Sequence, residues 1–90
     1  MLKMPNNIKK ILRSWMMNEA NMWAKGYGKD DVKVRVQVKY DKEAMANIIK
    51  INCNDNEVVY DEVLYYDEEI EDLIFGYDVN EVVIKVVKND

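Results

Sequence analysis

Histidine and threonine are absent from this chain of 90 residues, and serine and cysteine occur once each, as Ser14 and Cys53. Histidine is the commonest general base and a common zinc ligand, so the usual routes to acid–base and zinc chemistry are missing. A single serine without histidine cannot build a hydroxyl triad, and no imidazole is present to activate Cys53. We therefore predict that the protein is not an enzyme, that it holds no metal or cofactor, and that Cys53 is an unreactive core thiol.

Long apolar runs are also missing. No run approaches the roughly 20 residues that a membrane-spanning helix needs, and the N-terminus, with Lys3 and Pro5, lacks the apolar stretch of a signal peptide. One cysteine rules out an internal disulfide, which fits a reducing compartment. The three glycines form neither a phosphate-binding loop nor a dinucleotide fingerprint. These absences predict a cytoplasmic protein that does not contact membranes.

A loose N-terminus over residues 1–5 is expected to lead into a long amphipathic helix. Asn6 or Asn7 can cap this helix, and Gly26 is expected to end it. At 100° per residue, seven apolar side chains share one arc and should face a sheet. These are Ile8, Ile11, Leu12, Trp15, Met16, Met22 and Trp23. Glu19 interrupts the arc, and we expect it to tilt outward and bond a sheet residue such as lysine or tyrosine.

The strongest period-two pattern in the chain runs from Val32 to Tyr40. Valines alternate there with Lys33, Arg35 and Lys39, so this strand should turn one face to the helix and a basic face outward.

The segment that follows is ambiguous, because Ala and Met at its start favour a helix whereas its isoleucines favour a strand. We predict a strand over residues 45–53. A hairpin turn is expected at 54–56, since Asn and Asp tolerate left-handed backbone, and a third strand at 57–66.

A short helix capped by Asp67 and ended by Gly76 comes next, followed by a strand at 81–88. That strand has apolar residues on both faces, so we expect it to be central or covered on both sides. The order α-β-β-β-α-β predicts a single small α+β domain over residues 1–90. In this fold the long helix packs on a mostly antiparallel four-stranded sheet.

Charge is distributed unevenly along the chain. Residues 1–45 have a net charge of +5, whereas residues 46–90 have a net charge of −9. Residues 55–81 hold eleven carboxylates and no lysine or arginine, and apolar residues recur there at strand and helix spacing, which indicates folded structure. The two halves either neutralise each other in the fold or form distinct basic and acidic faces.

The acidic segment is the best candidate for a partner-binding surface. Its binding residues are expected on the third strand and on the outer side of the second helix, where an aromatic side chain stands within a charged rim. They are Asp55, Glu57, Asp61, Glu68, Glu71, Asp72 and Phe75. The competing interpretation is that these carboxylates only keep the protein soluble.

In size, acidity and lack of catalytic residues, the chain resembles the small acidic inhibitors encoded by phages, including anti-CRISPR proteins and DNA mimics. The resemblance implies a host protein with a basic surface as partner, such as a nucleic-acid-processing enzyme whose basic groove is occupied.

A less favoured alternative is direct nucleic-acid binding through the first helix and first strand. The residues involved would be Lys9, Lys10, Arg13, Lys33, Arg35 and Lys39. A third is a homodimer or toxin–antitoxin-like protein whose strand edge pairs with another chain.

Overall fold

The computed structural model describes residues 2–27, 32–54, 59–79 and 82–87. In chain order the elements are β1 (Leu2–Lys3), α1 (Asn6–Gly26), β2 (Lys33–Asp41), β3 (Ala46–Asn54), β4 (Val59–Tyr65), α2 (Glu68–Ile74), β5 (Tyr77–Asp78) and β6 (Val82–Val87). The predicted α+β class and the predicted order of the main elements are confirmed. The ambiguous segment is a strand, as predicted.

The main sheet has the strand order β4-β3-β2-β6, and every neighbouring pair is antiparallel. One row of opposed residues crosses all four strands: Val63, Ile51, Val36 and Ile84. Opposed residues lie on the same face of a sheet, and this face is the one that α1 covers. The core therefore lies between α1 and the sheet, and the other sheet face is open.

The position of β6 differs from the prediction, because β6 is an edge strand that pairs with β2 alone within the described sheet. Its inward residues Val82 and Ile84 join the core, since α1 packs mainly on β2 and β6. On the open face, Val83 is half-buried beside its register partner Gln37. The inward Val82 and Ile84 thus reflect cover by α1 on one face, and the expectation of a central strand was wrong.

The buried stripe of α1 is rotated from the predicted arc. Its buried residues, spaced four apart, are Leu12, Met16, Ala20 and Ala24. The two alanines allow the helix backbone to approach the sheet closely, so the contact line passes through them and larger side chains move to the rim. Ile11 and Met22, both on the predicted arc, are 52% and 66% exposed. The half-buried members of the arc are Ile8, Trp15 and Trp23.

The N-terminus is held in place, in contrast to the loose segment that was expected. β1 pairs in parallel with β5, and Met4 is buried in the core. Pro5 occupies the cap position of α1 without a side-chain cap, and its carbonyl accepts a hydrogen bond from the backbone N–H of Lys9 at 3.0 Å. The predicted asparagine cap is therefore absent, because Asn6 is already helical.

The local signals around α2 are confirmed. The Oδ1 atom of Asp67 accepts a hydrogen bond from the backbone N–H of Ile70 at 3.0 Å, and Gly76 ends this region with a φ of 82°. The predicted turn at 54–56 falls mostly outside the described residues. Neither α1 nor α2 is long and apolar enough to cross a membrane.

Candidate functional site

The second half of the acidic segment forms one surface, which we call the α2 surface: Tyr66, Glu68, Glu69, Asp72 and Phe75, all exposed. The opposite side of α2 is buried through Ile70 and Ile74, which turns the carboxylates outward. Glu68 and Glu69 lie in the first turn of the helix, where the positive end of the helix dipole stabilises negative charge. Phe75 is 77% exposed directly after the helix.

Tyr66 is a second aromatic on this surface, and sequence analysis did not single it out. Its side chain is 50% exposed. The pKa of its hydroxyl is raised, first because packing removes part of its water and then because nearby carboxylates disfavour a phenolate. Those carboxylates are Glu71, Glu68, Asp72 and Asp67. The signal available in the sequence was its place directly before the helix cap, where the chain enters the acidic surface.

Glu71 has a different role from its neighbours on α2. Its Oε2 atom accepts hydrogen bonds from the backbone N–H of Asn47 at 3.0 Å and from Asn47 Nδ2 at 3.2 Å. Asn47 is only 7% exposed. Glu71 therefore ties α2 to the start of β3, and its carboxylate is already engaged within the fold.

Asp61 lies far from the α2 surface. It is opposite Cys53 in the register of β3 and β4, so it is on the sheet face that bears the helices. Asn47, which binds Glu71, is six residues from Cys53 along β3, a separation of about 20 Å at roughly 3.3 Å per residue. Of the predicted site residues, the structure thus groups Glu68, Asp72 and Phe75 and separates Asp61 from them. Asp55 and Glu57 lie outside the described residues.

The Tyr27 hydroxyl donates a hydrogen bond to Asp61 Oδ2, which joins the end of α1 to β4. This bond favours the protonated phenol and raises the pKa of Tyr27, with partial burial and the neighbouring Cys53 thiol acting in the same direction. Cys53 is fully buried, as its predicted inward position requires, and burial raises the pKa of its thiol. A buried, protonated thiol is a poor nucleophile.

Replacing Tyr27 with phenylalanine should make the free energy of unfolding decline less steeply as the pH rises into the alkaline range. In the unfolded chain a tyrosine ionises at about pH 10. The native Tyr27 retains its proton above that value. The contribution of this group to stability is therefore full below about pH 10 and declines above it, because unfolding releases the proton. Urea unfolding between about pH 8 and 11 should show a shallower decline for Tyr27→Phe than for the parent.

The matched control is Tyr40→Phe, which changes a tyrosine that is 37% exposed at the end of β2. Its stability should decline with pH as steeply as that of the parent. Equal slopes for the two phenylalanine variants would contradict the assignment to Tyr27.

Glu19, on α1, is half-buried and lies near Tyr65 of β4. The pKa of Tyr65 is raised by burial first, and then by the negative charges of Glu19 and Asp67. The charge of Glu19 thus acts on a sheet tyrosine, and the expected bond between Glu19 and a sheet residue stays a prediction.

The open face of the sheet is basic. Lys33, Arg35 and Lys39 lie on it, and the register adds two further lysines, Lys50 from β3 and Lys85 from β6. The Nζ atom of Lys50 is 2.9 Å from Glu62 Oε1. A cavity of about 510 Å³ on this face includes Lys39 and Lys50 in its lining.

The two halves of the predicted nucleic-acid-binding set do not share this face. The strand residues lie on the open side of the sheet, whereas Lys9, Lys10 and Arg13 belong to α1 on the opposite side. Among the described residues, basic side chains thus lie on both sides of the sheet, and on the open side Lys50 is paired with Glu62.

Within the part of the chain that the structure describes, no group of three or more Cys, Asp and Glu side chains is placed to hold a metal ion. The chain matches no known protein family, and no curated protein or solved structure is significantly similar to it.

Proposed function

We propose that the protein is a non-enzymatic binding module whose α2 surface docks onto a basic surface of another protein. The observation that carries this proposal is the 77% exposure of Phe75 beside the exposed carboxylates of Glu68 and Asp72. Burial of an aromatic side chain at the centre of an interface supplies affinity, and a rim of like charge accelerates encounter with an oppositely charged partner.

In its most concrete form, the proposal is an inhibitor of the type that phages encode, either anti-CRISPR-like or a DNA mimic. It would act in the cytoplasm by occupying the basic groove of a nucleic-acid-processing enzyme. The exposed carboxylates of Glu68, Glu69 and Asp72 support this form, in a segment, residues 55–81, that has no lysine or arginine.

Reversal of Glu68, Glu69 and Asp72 to lysine tests the charged rim. We expect the association rate with the partner to fall about tenfold or more at low salt, because attraction becomes repulsion. The difference should shrink as salt is added, since screening acts over about 8–10 Å at ordinary ionic strength. Glu71 is left unchanged because its carboxylate holds Asn47. The partner is first captured from the native host with the parent protein, and rates are then measured by surface plasmon resonance.

Phe75→Ala should act mainly on the dissociation rate constant of the complex. Loss of an anchoring aromatic should speed dissociation by an amount equivalent to about 2 kcal/mol or more, with little dependence on salt. The matched control reverses Lys33, Arg35 and Lys39 to glutamate on the open sheet face, and it should leave partner binding unchanged. If the protein with Glu68, Glu69 and Asp72 reversed to lysine bound the partner as tightly as the parent at low salt, the α2 surface would be refuted as the docking site.

A further inference from the structure

A cavity of about 530 Å³ lies where the end of α1 meets β4. Its described lining is Met22, Trp23, Gly26, Tyr27 and Asp61. The cavity is open to solvent over much of its extent, so a bound ligand would lie against its lining and stay partly exposed to water. Among the described lining residues, Asp61 is the charged one, and Trp23 and Tyr27 are aromatic.

The aromatic side chains of this cavity are held in partly buried positions. Trp23 and Tyr27 are both half-buried and pack against the core. The hydrogen bond from Tyr27 to Asp61 fixes the carboxylate beside the phenol ring. Met22 adds a polarizable thioether to the wall and is 66% exposed. A ligand would therefore meet a surface that is already arranged, which lowers the entropic cost of binding.

The chemistry of these groups selects the charge of the ligand. The faces of Trp and Tyr rings carry the negative part of the ring quadrupole and attract cations, with tryptophan the strongest. The Asp61 carboxylate adds direct ionic attraction. An anion would be repelled, and a neutral ligand would remove water from the carboxylate without compensating its charge.

We propose that this cavity binds an organic ammonium ion, either a small quaternary amine or the side-chain ammonium of a lysine. The site is separate from the proposed α2 docking surface, because the described lining of the cavity shares no residue with that surface. Failure of either proposal would leave the other intact.

Choline and its neutral carbon analogue, dimethylbutanol, provide the first test. The chain has two tryptophans, so Trp15→Phe leaves Trp23 as the only tryptophan reporter. Choline should change the Trp23 fluorescence in a saturable manner at constant ionic strength, and dimethylbutanol should not. In the complementary Trp23→Phe protein, the fluorescence of Trp15 should not respond to choline. No saturable change, or equal changes with both compounds, would overturn the proposal.

Two neutralising variants in the Trp15→Phe background provide the second test. Asp61→Asn should weaken choline binding at least about fivefold, equivalent to about 1 kcal/mol. The matched control is Glu62→Gln, the next residue on β4, whose side chain lies on the opposite face beside Lys50. This control should change the dissociation constant less than about twofold. Equal weakening by the two variants would assign binding to general negative charge and overturn the site.

The same titrations with blocked lysine and blocked trimethyl-lysine separate the two sources of the ammonium group. Tighter binding of either blocked amino acid than of choline would assign the cavity to a protein side chain, and tighter binding of choline would assign it to a free amine. Circular dichroism tests whether Asp61→Asn is folded. The comparison of choline with dimethylbutanol needs no change at Asp61 and decides the question if that variant unfolds.

Discussion

Replacing Leu12 with alanine is expected to lower the free energy of unfolding by about 3 kcal/mol, within the range of about 2–5 kcal/mol for such changes in a packed core. Leu12 has no exposed surface and lies on the stripe of α1 that faces the sheet. Its removal takes away apolar burial and leaves a cavity that the helix and sheet can refill only in part.

The neighbouring residue provides the matched control. Ile11 is 52% exposed, although it was predicted to share the arc with Leu12. Ile11→Ala should cost about 1 kcal/mol or less, since much of that side chain contacts water in the native state. Urea unfolding of both variants measures the difference. Equal losses would show that α1 is rotated from the orientation in the structure.

Replacing Glu71 with alanine is expected to destabilise the protein by about 2–3 kcal/mol, even though the change removes one of many carboxylates from an acidic segment. Two donors of Asn47, its backbone N–H and its Nδ2, lose their acceptor at a residue that is 7% exposed. A buried donor without a partner keeps its desolvation cost and gains no bond in return.

Glu71→Gln retains an acceptor oxygen and should recover part of the loss. Glu69→Ala, on the exposed side of the same helix, should change stability by less than about 0.5 kcal/mol. Thermal unfolding of the three variants decides the matter. If Glu71→Ala and Glu69→Ala melted at the same temperature, the tie between α2 and β3 would contribute nothing to stability.

The elements of this fold with local signals were predictable from the sequence. Alternating valines identified β2. Asp67 identified the start of α2, and Gly76 identified its end. Both signals depend on residues close in sequence, where side-chain alternation or a cap acts directly on the backbone.

Features that depend on distant contacts were not predictable. The buried stripe of α1 includes Ala20 and Ala24, whose burial depends on contact with the sheet. The edge position of β6 is set by pairing across the whole chain. Composition gives the apolar content of such elements but not the neighbour that covers them.

The candidate site shows the same division. The exposure of Phe75 and Asp72 follows from the helical period, which a wheel reproduces. The engagement of Glu71 by Asn47 and the meeting of Asp61 with Tyr27 require the register of β3 and β4. No property of the isolated acidic segment indicates which of its carboxylates the fold itself employs.

The packing of α1 on β6 also determines when the protein can fold during its synthesis. α1 is synthesised before β6, one of the two strands on which it mainly packs, and β2, β3, β4, α2 and β5 separate the two in the chain. Until Val82 and Ile84 emerge, the buried stripe of α1 lacks one of the two strands on which it mainly packs. A ribosome-bound chain that stops before β6 is therefore expected to expose this stripe to chaperones.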